Sequence, residues 1–258
     1  MGLSSGPYEA AARALAGTPF ASIAYVEETE STNADAAALL EDPRFGGHTI
    51  VAEYQRRGAG RKGRAWLAPA GSALLFTTIL PRAVETAKLW IVPFWVALAV
   101  RAALLEFGVA ATLQWPNDLL LNGRKLAGVL CQSSVAGTTA RVACGVGLNV
   151  RRPGADSGVE PPPAYCDDAA PVERVAVLTA ILREYSRGLS ALDEPARVAA
   201  AWEAAAGLPG RRYRIQLDGE AQPFEALAQG LDDGGALAVV RQDGTRTSVA
   251  LADARVLR

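Results

Sequence analysis

The sequence predicts an α+β protein, a mixed or antiparallel sheet with helices packed on it, followed by a small β domain. Three observations predict it. Short β-branched, alternating runs are interleaved with stretches of helical periodicity over residues 1–206. Gly207, Pro209 and Gly210 then stop the chain's last helical pattern, which sets the domain boundary at residues 206/207. Beyond it, residues 207–258 carry only short alternating runs, with Asp-Gly turns at Asp218, Asp233 and Asp243, the rhythm of a small β-barrel.

Taken in order, the chain opens with a short helical segment. Residues 23–26 read as a strand, and STNADAAALL as a helix whose first turn is capped by a hydroxyl or Asn side chain among Ser31, Thr32 and Asn33. Residues 49–53 form the next strand and SALLFTTIL, residues 72–80, another, with Leu74, Phe76 and Thr78 on one face. Residues 87–107 read as one long apolar helix ended by Gly108. Three short strands follow at residues 111–115, 125–132 and 140–150, with Asn122-Gly123 marking a tight hairpin. Residues 151–171, rich in Pro, Gly and Asp, read as a surface loop, and residues 172–189 and 196–206 as helices.

Composition excludes several classes of function. Half of the 258 residues are hydrophobic, and 26 basic side chains nearly balance 27 acidic ones for a net charge of -1, where a dedicated nucleic-acid binder is more basic. Cys131, Cys144 and Cys166 show no CxxC spacing and read as free thiols of a reducing cytoplasm. The single histidine, His48, excludes a histidine-rich metal site and reads as a loop residue, not a catalytic base. The amino terminus lacks a signal peptide's apolar core, and Gly6 stands where a myristoylation motif needs Ser or Thr. The most apolar run, residues 89–100, is too short to span a bilayer and reads as a core helix. A cytoplasmic protein with no membrane and no nucleic-acid partner is expected.

Against that neutral background, QRRGAGRKGRAW, residues 55–66, concentrates five cations. No acidic residue occurs between Glu53 and Glu85, so Arg56, Arg57, Arg61, Lys62 and Arg64 have no carboxylate nearby in sequence. Gly58, Gly60 and Gly63 allow backbone N–H groups to approach an anion closely, although the loop is not a Walker loop and leads to a strand. A solvated basic loop, a phosphate site and a nucleic-acid grip all fit this stretch alone. Trp66 follows it, either packed at a strand edge or stacked on a base.

Two further islands bear on that choice. In LQWPNDLLLNGRKLAG, Asp118 is the one acid between Glu106 and Asp156, a salt-bridge partner, a ligand for Mg²⁺ or a group that orients a lysine beside a phosphate. Lys125 opens an apolar strand, from which its ammonium can reach a pocket as counter-charge for an oxyanion. In CGVGLNV, Gly145 and Gly147 sit inside a strand, where glycine marks close approach of a ligand or backbone, and Asn149 can both donate and accept.

The ordered set ETESTNADA, AEYQRRGAGRKGRAWLAPAG, LQWPNDLLLNGRKLAGVL and VACGVGLNV resembles the catalytic module of a biotin protein ligase over roughly residues 25–206. WPND followed by NGRKLAG is the most specific part, and the carboxy-terminal strands are similar to that family's SH3-like domain. The resemblance implies a class II synthetase-like fold and a two-step reaction: biotin and ATP give biotinyl-5′-AMP, and a lysine of a biotin carboxyl carrier protein takes the biotinyl group. It implies that Ser31, Thr32, Asn33 and Gln55 hold the ureido end of biotin and that the backbone of Gly58, Ala59, Gly60 and Arg61 holds its carboxylate. It further implies that Arg61, Arg64 and Lys125 face the phosphates, with Lys125 and Arg61 as the catalytic pair. Trp66, Gly147 and Asn149 would take the adenine, with Asn117 and Asp118 near the triphosphate and Mg²⁺.

Two departures bear on this. Where many relatives of that family read GRGR, this loop reads Gly58-Ala59-Gly60-Arg61, so the first arginine is missing. Only about 20 residues precede the resembling region, too few for the helix-turn-helix domain of bifunctional relatives, so a ligase without DNA binding is expected. A lipoate or octanoyl transferase of the same superfamily and a non-catalytic biotin sensor are the alternatives. Exposed sheet edges would permit a homodimer.

Overall fold

The structure is a computed structural model that describes residues 4–154, 159–251 and 254–257. Residues 155–158, inside the stretch expected to be a surface loop, lie outside the described residues. The chain opens with α1 (Glu9–Ala14), and then alternates β1 (Ile23–Thr29), α2 (Thr32–Leu39), β2 (Thr49–Gln55) and β3 (Ala73–Ile79). A two-residue strand, β4 (Val84–Glu85), precedes α3 (Val92–Glu106). There follow β5 (Thr112–Gln114), β6 (Asp118–Leu121), β7 (Arg124–Ala136) and β8 (Thr139–Asn149), then α4 (Arg174–Gly188) and α5 (Pro195–Ala206). The remainder is β9 (Arg212–Leu217), β10 (Phe224–Leu231), β11 (Leu237–Arg241), β12 (Arg246–Val249) and β13 (Ala254–Leu257).

The first eight strands make one mixed sheet in the order β1-β2-β3-β8-β7-β6-β5, with β4 on β8. Only β1 and β2 pair in parallel, because α2 carries the crossover between them. α3 and α4 cover one face, burying Phe94, Trp95, Val96, Val100, Leu104, Leu178, Ile181 and Tyr185 against Leu74, Phe76, Cys144, Val146 and Leu148. The second sheet, β12-β11-β10-β9-β13, is antiparallel throughout. It is not a separate bead on the chain. Trp115 Nε1 donates to the carbonyl of Gly235 (3.3 Å), Arg211 donates to that of Leu113 (2.6 Å), and Glu203 accepts from the Leu231 N–H (2.5 Å).

The α+β class and the sheet with helices on it match the expectation; several elements do not. β6 was not expected as a separate strand, since DLLL is too short to show a period, and pairing on both sides holds it. β13 was likewise missed. The expected helix over residues 87–107 is a 3-10 segment, Thr86–Ile91, followed by α3 from Val92. Pro93 explains the break: its ring fits the first turn of an α-helix, and its missing N–H costs nothing there. Residues Thr86–Glu106 together have the length and apolarity to cross a membrane, but much of the segment is buried inside this fold.

The stretch expected to run over the surface instead enters the core. Ala164, Tyr165 and Cys166 are buried, and Ala164 N–H donates to the Lys125 carbonyl (2.8 Å). Asn122 (φ 51°) and Gly123 (φ 76°) form the expected tight turn between β6 and β7. In the second sheet Gly219 and Gly244 take the left-handed conformation directly after Asp218 and Asp243, whereas after Asp233 it is Gly235.

Candidate active site

One cleft of about 610 Å³ opens on the face of the large sheet away from α3 and α4 and is bounded by the basic loop and the second sheet. Ser31, Thr32, Asn33, Gln55, Ala59, Gly60, Arg61, Arg64, Trp66, Asn117, Asp118, Lys125, Gly147 and Asn149 all line it. Of the residues expected at the site, only Gly58 does not. It is buried beneath the loop, where its carbonyl accepts the Trp66 N–H (2.7 Å) and a Cβ would fall 2.6 Å from the Trp66 carbonyl.

One end of the cleft is neutral and already bonded to itself. The amino terminus of α2 points at it, but the expected side-chain cap is absent: Ser31 makes no capping bond. Gln55 Oε1 takes the exposed helical donor instead, accepting from Thr32 N–H at 2.7 Å. Thr77 donates to Asn33 Oδ1 (2.6 Å), which leaves its oxygen to accept from Thr32 Oγ1 (2.8 Å), and Asn33 Nδ2 donates to the Leu130 carbonyl (3.0 Å). This chain of bonds fixes the orientation of the Asn33 amide. Gly145 makes it possible, since a Cβ there would lie 2.0 Å from Asn33 Oδ1.

The other end is cationic. The basic loop is a tight hairpin, closed by Gly60 N–H to the Arg64 carbonyl (2.7 Å) and a bridge between Ala59 and Ala65. Three of the five cations, none with a carboxylate nearby in sequence, find one across the fold. Arg56 pairs with Glu28 (2.6 Å) and Glu30 (2.5 Å), Arg57 with Glu30 (3.3 Å) and Lys62 with Asp218 (2.5 Å). These acids are 26 or more residues away along the chain, so sequence proximity could not show them. Among the described residues no carboxylate pairs with Arg61 or Arg64. Burial pulls the Arg61 guanidinium below its ordinary pKa, Arg64 adds like-charge repulsion, and Asp118 offsets part of both. Arg61 also donates to the Leu251 carbonyl.

Lys125 reaches the cleft because of a bulge. The β6–β7 register shifts between Leu119 and Leu120, pairing Leu119 with Ala127 but Leu120 with Lys125. Leu126 and Ala127 are therefore both buried in the core, and the alternation of side chains is reset so that Lys125 faces the cleft. Its Nζ sits 2.8 Å from Asp118 and 5.2 Å from the Trp66 ring centroid. Asn117 is bound to Val129, donating from Nδ2 to its carbonyl (2.6 Å) while its own carbonyl takes the Val129 N–H (2.9 Å).

Trp66 lies flat over two glycines. Gly128 and Gly147 are cross-strand partners on β7 and β8, and a Cβ at Gly147 would come 2.5 Å from the indole, at Gly128 3.2 Å. The Trp66 indole N–H is buried with no acceptor among the described residues. Asn149 was read as free to donate and accept, but its Nδ2 is committed to the carbonyls of Ala164 (3.0 Å) and Lys125 (3.3 Å). Its Oδ1 remains for a ligand. Behind it, Asp168 accepts from Arg152 (2.5 Å), Arg124 (2.8 Å) and the Tyr165 N–H (3.1 Å). Burial raises the Asp168 pKa, yet those bonds and charges outweigh it and hold the carboxyl below its usual value.

The comparisons with known proteins bear on what such a cleft does. The model of the biotin/lipoate A/B protein ligase family matches residues 25–149. A biotin–acetyl-CoA-carboxylase ligase of Paracoccus denitrificans is 36% identical over 223 residues, covering 81% of this chain and 90% of that one. The chain belongs to the biotin protein ligase family. A second ligase of the same name, from Mycobacterium tuberculosis, is 32% identical over 86% of this chain and 84% of its own. Among solved biotin protein ligases, that of Aquifex aeolicus in complex with biotin and ATP shares the fold at a TM-score of 0.73 and 22% identity, covering 92% of this chain and 99% of that one.

Within this ligase, Thr77, Gly128 and Tyr165 belong to the site's framework and were not expected from sequence. Thr77 sits in an apolar strand, and its hydroxyl could have been noticed only as a polar interruption of SALLFTTIL. His48, by contrast, is 4% exposed with its Nδ1 2.8 Å from Ser22 Oγ and is not among the residues lining the cleft, in keeping with a structural role.

Proposed function

We propose that this protein is an ATP-dependent biotin protein ligase that makes biotinyl-5′-AMP and passes the biotinyl group to a lysine of a biotin carboxyl carrier protein. One observation carries the reading: a single cleft joins a neutral amide-and-hydroxyl end to a cationic end where Arg61 and Arg64 have no carboxylate partner among the described residues. Biotin has that polarity, a neutral ureido ring and a carboxylate, and ATP adds the second anion. Ser31, Thr32, Asn33 and Gln55 meet the ureido ring, and the loop backbone from Gly58 to Arg61 meets the carboxylate.

In the first step a biotin carboxylate oxygen attacks the α-phosphorus and the bond to pyrophosphate breaks. Arg61, Arg64 and Lys125 supply positive charge where two anions must approach and where the pentavalent α-phosphate concentrates negative charge. In the second step the acceptor lysine, as its neutral amine, attacks the acyl carbon; AMP leaves with the bond electrons and the amine proton passes to solvent. Positioning and electrostatics account for the chemistry, with no histidine base. Trp66, on its bed of Gly128 and Gly147, stacks on the adenine, and Asn149 Oδ1 accepts from its amino group.

A bound Mg²⁺ would neutralise the phosphate oxygens. Asp118 and Asn117 fit it as the small protein share of a site whose other ligands are phosphates and water, and no cage of three His, Cys, Asp or Glu occurs among the described residues. Residues 1–206 act as the catalytic unit and residues 207–258 as a small SH3-like domain against it. The near-neutral charge favours a carrier protein over nucleic acid as partner, and free thiols favour the cytoplasm.

Mixing the purified chain with biotin, ATP and Mg²⁺ and analysing the products by mass spectrometry tests this. Biotinyl-AMP, followed by a biotinylated carrier lysine, is expected. Transfer of lipoate in place of biotin would overturn the substrate, and tight biotin binding without transfer would make the protein a sensor.

A further inference from the structure

The basic loop is held at two places, and only one belongs to the large sheet. At its root, Arg56 and Arg57 are tied to Glu28 and Glu30 beside the end of β1. At its tip, two consecutive residues reach the second sheet. Arg61 donates to the Leu251 carbonyl, and Lys62 Nζ lies 2.5 Å from Asp218 in the turn after β9. Lys62 is not a loose surface cation. Its side chain is 16% exposed, against 57% for Asp218, and its backbone takes the left-handed conformation (φ 56°, ψ 37°) that a lysine adopts only when its surroundings impose it.

We propose that Lys62 and Asp218 form a clasp that latches the basic loop onto the carboxy-terminal β domain and sets how long the reactive adenylate is retained. Asp218 is thus a positioning residue of the ligase reaction, acting through Lys62 on the loop that carries Arg61 and Arg64. This rests on the reading of the cleft as an adenylate site. It also accounts for Ala59. A loop lacking the first arginine of the GRGR pattern has one less charged side chain with which to order itself around an anion, and here a contact made before any anion arrives supplies order. Arg214, Val256 and Leu257 complete the wall on that side, so opening the clasp would expose the middle of the cleft to water.

The clasp and the functional reading can fail separately. In the full chain without ligands, hydrogen exchange of the amides of residues 58–66 reads the clasp directly. In protein loaded with biotin and ATP, a chase with unlabelled substrates reads adenylate release, and labelling of a bystander protein reads its escape. Asp218→Asn is expected to quicken loop exchange and adenylate release about two- to fivefold, the effect of losing one half-exposed ion pair. The amount of adenylate first formed stays the same, and the charge-swapped double variant Lys62→Asp/Asp218→Lys restores both rates towards those of the unaltered protein. Unchanged exchange in Asp218→Asn and Asp218→Lys would overturn the clasp, and faster exchange with unchanged release would overturn its role in retention. If the unaltered protein makes no biotinyl-AMP, the ligase reading fails, while the exchange measurement still decides whether the clasp exists.

Discussion

The two ends of the cleft are built on opposite principles. At the neutral end, Thr32, Thr77 and Asn33 are buried and Gln55 half-buried, all bonded to one another and carried by α2 and by strands of the large sheet. At the cationic end the charges ride on a short hairpin that ion pairs hold at its root and tip, and Arg61 is left with more positive charge than its surroundings balance. A neutral ring can be recognised by a rigid set of donors and acceptors, because each buried polar group must be paired with or without ligand. Charge that must meet two anions, and afterwards let a product go, is better placed on a segment that can open. On the proposed reading, the neutral end selects the substrate and the cationic end handles the reacting groups.

That comparison can be broken most sharply at the cationic end. Lys125→Ala should lower adenylation about 10²- to 10³-fold, the usual cost of deleting a preorganised counter-charge. Biotin affinity should change far less. Equal losses in both, by single-turnover kinetics and calorimetry, would mean that Lys125 belongs to substrate selection as well.

The next largest effect is expected at Gly145. A Cβ 2.0 Å from Asn33 Oδ1 must displace that amide, so Gly145→Ala should weaken biotin binding about 100-fold, several buried hydrogen bonds being lost together. ATP binding, measured separately, should survive; its loss would show that the two ends are not independent. Thr77→Val is milder. It keeps the shape and takes the hydroxyl donor from Asn33 Oδ1, while Thr32 Oγ1 can still donate to Gln55 Oε1 (3.1 Å), at a cost of about 1–2 kcal/mol, or roughly tenfold in biotin affinity. An unaltered affinity would assign the network to folding alone.

The smallest effect lies outside both ends. Burial lowers the pKa of His48 below its ordinary 6.5. A depressed pKa means that this contribution to stability is present above pH 6.5 and is lost as the pH falls from there towards the folded-state value. The melting temperature should therefore drop on acidification below pH 6.5, less so in His48→Gln, while the adenylation rate shows no matching histidine step. A rate that follows the same titration would give His48 a part in the chemistry.

Much of this architecture was legible because it rests on local chemistry. Asn122-Gly123 demands a tight turn, Gly207 ends α5 in the left-handed conformation (φ 72°), and alternating residues on β9 to β11 bury Tyr213, Ile215, Ala226, Ala228, Leu237 and Val239. That four short motifs supply one group of neighbouring side chains was legible as well, since their residues end up lining one cleft. What could not be read was pairing across distance. Glu28, Glu30 and Asp218 neutralise three loop cations from remote parts of the chain, and Asn149 spends its amide on a segment that looked like an outer loop.

The sequence by itself determined which side chains and which turns were available, because turn geometry, helix stops and strand period depend on a residue and its near neighbours. Only the tertiary structure decided what each site residue touches. A one-residue bulge sends Lys125 into the cleft and Leu126 into the core, Thr77 joins Thr32 to Asn33, and Asp218 meets Lys62. These outcomes depend on register and on contacts between distant segments, and a shift of one residue along a strand would send Lys125 to the other face.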